Sequence, residues 1–89
     1  MKAIITVLGK DKVGIISGVS NALSNMNINI LDISQTIMNN VFTMIMQVDI
    51  AGATVEFSKI AENLRAESEK LGVEIRIQHE DIFNSMHRI

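Results

Sequence analysis

The chain has no cysteine, no proline, no tryptophan and no tyrosine. Without cysteine there is no disulfide framework, no thiolate metal site and no cysteine nucleophile. Without proline there is no polyproline linker and no sign of a hinged second domain. Aromatics amount to three phenylalanines, too few for the stacking platforms on which RNA-recognition sheets hold bases. Positive charge is also scarce: 8 Lys and Arg against 10 Asp and Glu give a net charge of −2, whereas nucleic acid calls for a basic stripe. The apolar run at residues 3–8 is interrupted by Thr6 and too short for a membrane span or a signal-peptide core. These absences predict a cytoplasmic protein with neither nucleic acid nor membrane as partner.

What is present is aliphatic. Hydrophobic residues make up 47% of 89 residues, dominated by Ile, Val, Leu and Met, which is enough for one small domain with a thin core. KAIITVL, closed by Gly9, is a β-branched run of strand length. From Val13, the apolar residues Ile15, Val19, Ala22, Leu23 and Met26 recur at helical spacing, with Asp11 as a candidate cap. Asn29 opens a second strand, along which Leu31, Ile33 and Ile37 alternate with Asp32, Ser34 and Thr36. Asn39-Asn40 then reads as a tight hairpin turn, because asparagine tolerates positive φ.

The third strand places Phe42, Met44, Met46, Val48 and Ile50 on one face. A second helix carries the stripe Phe57, Ile60, Ala61, Leu64 and Leu71, and Gly72 stands where its left-handed terminus belongs. Val73, Ile75, Ile77 and His79 alternate in a last, half-buried strand, where His79 reads as a packed strand-end residue rather than a metal ligand. No cofactor is expected. The order strand, helix, strand, strand, helix, strand folds, through right-handed crossovers, into the ferredoxin-like α+β arrangement: a four-stranded antiparallel sheet with both helices on one face. Residues 1–80 form that domain. Residues 81–89 are a C-terminal tail whose Ile82, Phe83, Met86 and Ile89 share one helical side, which predicts a short helix laid on the domain or on a second subunit. Ile4, Leu8, Val41, Thr43 and Ile45 fall on the sheet face away from the helices, and that much apolar surface predicts self-association.

GKDKVG, residues 9–14, joins the first strand to the first helix. A helix N-terminus presents unpaired amides and partial positive charge to a carboxylate or phosphate, and Gly14 lets a ligand approach the backbone. The plainer reading is that Gly9 ends a strand, Asp11 caps a helix and Gly14 relieves packing.

Residues 9–33, GKDKVGIISGVSNALSNMNINILDI, resemble the opening of ACT domains, small regulatory modules that bind amino acids or related metabolites at subunit or domain interfaces. The resemblance extends over residues 1–80 and is nearest to standalone ACT proteins, which lack a fused catalytic domain. It implies that Asp11 and Gly14 stand at the loop positions of the amino-acid-binding members and Asn29 at their later polar position. Val13 replaces the usual proline. The implied site pairs backbone amides of Val13, Gly14 and Ile15 with acceptors from Asp11 and Asn29, the latter contributed across a homodimer. The expected function is non-catalytic: an amino-acid effector binds, and a separately encoded protein reads the result. A ligand-free dimerisation or interaction module is the alternative. An acylphosphatase-like enzyme is the third reading, and it lacks the arginine its phosphate loop needs; Lys10 and Lys12 stand there instead.

Overall fold

The computed structural model describes residues 1–10 and 13–81. Its elements are β1 (Lys2–Lys10), α1 (Ile15–Asn25), β2 (Asn29–Met38), β3 (Val41–Asp49), α2 (Phe57–Leu71) and β4 (Glu74–His79). All pairings are antiparallel and the strand order is β2-β3-β1-β4, the ferredoxin-like topology expected from the sequence. The expected tail helix falls, beyond Asp81, outside the described residues.

Alternation in the strands builds the core. Ala3, Ile5 and Val7 of β1 face Val48, Met46 and Met44 of β3, and all six are fully buried. Ile15, Val19 and Leu23 of α1 and Ile60 and Leu64 of α2 close over them. Each large aliphatic side chain so buried contributes about 1.5–3 kcal/mol. Gly18 lets the helices approach one another: a Cβ there would stand 3.0 Å from the Leu71 methyls.

Left-handed residues set the turns. Asn39 and Asn40, at φ 52 and 67, make the β2–β3 hairpin a two-residue turn whose twist matches the strands. Asn27, at φ 57, ends α1: its N–H donates to the Ser24 carbonyl and the Ile28 N–H to the Leu23 carbonyl. Gly72, at φ 71, ends α2.

β2 departs from simple alternation. Ile30 pairs with Val48 but Asp32 pairs with Gln47, so Leu31 is an extra residue in the ladder. Beyond this bulge Ile33, Gln35 and Ile37 lie opposite Met46, Met44 and Phe42, on the helix-bearing face. Leu31 is therefore not the start of the apolar alternation, as simple periodicity suggested. Among the described residues no helix covers this edge, and Ile37 remains 54% exposed.

Candidate functional site

The amides that open α1 are held in place by one glycine. Gly14 occupies the N-cap position at φ 96, a conformation that L side chains rarely adopt. A Cβ at Gly14 would meet nothing within 4 Å, so backbone conformation rather than packing demands glycine here. Its carbonyl accepts from the Gly18 N–H at 2.9 Å and from the Ser17 hydroxyl at 3.2 Å. Among the described residues no side chain caps the helix, and no acidic residue stands in its first turn. The first-turn amides of Ile15, Ile16 and Ser17 therefore have no intrahelical acceptor, and the helix dipole adds partial positive charge at the same point.

This helix end faces a cleft of about 410 Å³ walled by Gly14, Ile15, Ile16, Ser17, Gln35, Ile37 and Phe42. The floor is the helix-bearing face of β2 and β3, and the outer side is the uncovered β2 edge. Chemically, the cleft offers backbone donors at one wall, aliphatic surface at the other, and the Gln35 amide between them.

Of the residues singled out in the sequence, Gly14 and Ile15 meet here. Val13 is fully exposed and does not line the cleft. Asp11 is outside the described residues, and since Gly14 takes the N-cap, the helix begins at Ile15 rather than Val13. Asn29 is at the other end of the sheet. It is level with Asp49 and Lys2, whereas Ile37 is level with Phe42 and Gly9. Seven residues of ladder separate the two levels, about 24 Å. Asn29 lines a different hollow, of about 590 Å³, with Ser20, Ser24, Asn27 and Asp49. The larger volume does not make that hollow the better site, because two of its polar side chains, Asn27 and Asp49, are already engaged. The Asn27 side-chain N–H donates to the Gly52 carbonyl, and Asp49 accepts from the Ala51 N–H, both at 2.9 Å. That backbone hydrogen bond holds the Asp49 carboxyl below the usual carboxylate range, helped by the nearby N-terminal ammonium.

Gln35 and Ile37 were not anticipated as site residues. The available signal is a polar residue standing in the apolar register between Ile33 and Ile37. His79 behaves as expected of a packed strand end: its ring stacks on Phe57, centroids 4.1 Å apart. Among the described residues no three His, Cys, Asp or Glu side chains converge to hold a metal, and no helix is long and apolar enough to cross a membrane.

Comparison with known proteins agrees with this architecture. The family model described as "ACT domain" matches residues 2–78. A UPF0237 protein of Clostridium acetobutylicum is 62% identical over 89 residues, covering all of both chains. The solved "ACT domain protein from Streptococcus pneumoniae" superposes with a TM-score of 0.82 at 43% identity, covering 93% of each chain. The regulatory subunit of aspartate kinase from Thermus thermophilus, in a ligand-free form, gives a TM-score of 0.66 at 25% identity over 86% of this chain and 50% of its own. The chain thus belongs to the ACT domain family, and a relative of matching length is a UPF0237 protein.

Proposed function

We propose that this protein is a non-catalytic regulatory module. Two copies pair through their β2 edges, and an amino acid or similar small metabolite binds at each α1 N-terminus, between the copies. ACT domains are typically regulatory ligand-binding modules, and one structural relative is the regulatory subunit of a kinase. The observation that carries the reading is an α1 N-terminus, capped by no described side chain, that opens onto an apolar cleft at a sheet edge paired with no described strand.

The separation of Gly14 from Asn29 supports a second copy. Antiparallel pairing of two β2 strands sets the beginning of one beside the end of the other. Asn29 of the second copy then stands at the Gly14 end of the first. The effector's carboxylate takes the α1 amides and Asn29 completes the polar shell. Ligand binding stabilises the paired form by mass action, and a separately encoded protein reads that change.

Calorimetric titration with each of the twenty amino acids tests the proposal, with Gly14→Leu as the comparison chain. Saturable binding by the parent chain, weakened at least about tenfold in the substituted one, is the expected result. Binding unaffected by Gly14→Leu removes the helix end from the account, and heat from no amino acid favours the ligand-free interaction module.

A further inference from the structure

The outward side of α2 carries a pattern that reads the same from both ends. Ser58, Glu62, Arg65 and Glu69 follow one helical line, away from the buried Ile60 and Leu64, and all four are exposed. With Ala61 and Ala66 on the flanks they line a shallow groove of about 430 Å³. Each of the six has a counterpart equidistant from the midpoint between Asn63 and Leu64: Ser58 with Glu69, Ala61 with Ala66, and Glu62 with Arg65.

A second, antiparallel copy of the helix related by a two-fold axis sets every residue at the level of its counterpart. Glu62 of each copy then meets Arg65 of the other, twice over, and the small flanking alanines let the axes close to about 8–10 Å. Among the described residues the Arg65 guanidinium has no ion-pair partner, and Glu62 has only the exposed Lys59, at 3.7 Å. Glu69 supports the same arrangement. It stands in the last turn of α2, the unfavourable end of the helix dipole for a carboxylate. In the antiparallel pair it lies against the other copy's first turn, which holds no acidic residue and where the Ser58 hydroxyl can donate.

We propose that two copies of this chain dock through the outward sides of α2, antiparallel, with reciprocal Glu62–Arg65 contacts at the centre and Ser58–Glu69 contacts at the ends. The contact is small and polar, so it is weaker than a standard interface and sensitive to salt. It rests on neither the effector site nor the β2 edge, and it can join pairs formed at that edge into larger assemblies.

The lack of native cysteine lets cross-linking read the register. Full chains carrying Ser58→Cys and Glu69→Cys are mixed in equal amounts and oxidised at low ionic strength, and mass spectrometry separates unlike from like disulfide pairs. Chance gives equal yields of the two. The proposal expects unlike pairs in excess by at least about fivefold, since only counterparts come within disulfide reach. Adding Arg65→Glu to both chains should return the ratio to chance, and adding Glu62→Arg as well should restore the excess, because the reversed charges are again complementary. All these positions are exposed, so the single-chain fold should survive each change. Unlike pairs at the chance yield overturn the proposal. So does an excess that persists with Arg65→Glu, or a loss that Glu62→Arg does not restore.

Discussion

Gly9 and Val73 approach so closely that a Cβ on Gly9 would stand 2.7 Å from the Val73 Cγ1 and 3.1 Å from its Cα. Gly9 is the next-to-last residue of β1, and Val73 links α2 to β4 and is buried. The contact fixes where the loop leaves the sheet, and so where α1 begins. Gly9→Ala should cost about 2 kcal/mol in urea unfolding, because a backbone atom is among those met. Adding Val73→Ala should recover part of that loss, giving a double variant more stable than the sum of the two single changes implies.

Gly14→Ala isolates conformation from contact. Its Cβ has open space, so the expected loss, on the order of 1–2 kcal/mol, reflects the left-handed backbone alone. Denaturant midpoints of Gly14→Ala and Gly14→Leu should nearly coincide. A much larger loss for leucine would mean that the helix end is packed against something.

A site shared between copies has a signature in mixed dimers. Gly14→Leu and Asn29→Ala should each abolish effector binding in homogeneous preparations. Mixed, they form hybrid dimers in which one site carries both changes and the other carries neither. Calorimetry should then recover one binding event per hybrid dimer, with the affinity of the parent chain. No recovery would show that Gly14 and Asn29 do not serve one site.

The β2 edge should decide association without deciding the fold. Ile33 and Ile37 are exposed within one chain, so Ile33→Lys with Ile37→Lys should leave the single-chain fold within about 0.5 kcal/mol of the parent. Sedimentation should show the substituted protein as a monomer under conditions where the parent is dimeric. A dimer that survives both lysines would relocate the interface.

Asp49 gives an acid-side prediction. Its carboxyl is held below the usual range chiefly by the Ala51 N–H, so the folded state binds that proton less readily than the unfolded chain does. The associated stability is complete above the ordinary aspartate value, about pH 4, and fades as pH falls through the lowered one. The melting-temperature gap between the parent and Asp49→Ala should be constant at neutral pH and narrow below about pH 4. The side chain is solvent-exposed, so the gap should be small throughout.

Local chemistry made much of the fold readable in advance. Asn39-Asn40 and Gly72 take the positive φ that their residue types favour, and the Ile60 and Leu64 stripe lies where its period places it. The helix start was displaced by two residues, because Gly14 supplies by conformation the cap position that Asp11 suggested by chemistry. The site was less legible. Gln35 and Ile37 face Ile16 only after β2 has been laid beside β3, and nothing local to either segment encodes that meeting. Nor does spacing along the chain reveal that Asn29 and Gly14 end up at opposite ends of one sheet.

The single inserted residue at Leu31 resets the phase of the strand that carries it. Ile30 seals the lower core from an even position, while Ile33 and Ile37 reach the same side from odd ones. A regular ladder with Leu31 paired in register would turn Asp32, Ser34 and Thr36 inward and send Ile33, Gln35 and Ile37 to the opposite surface, whereas deleting Leu31 would remove the kink and leave their sides unchanged. One backbone kink thereby lets a single ribbon act as floor at one end and as wall at the other.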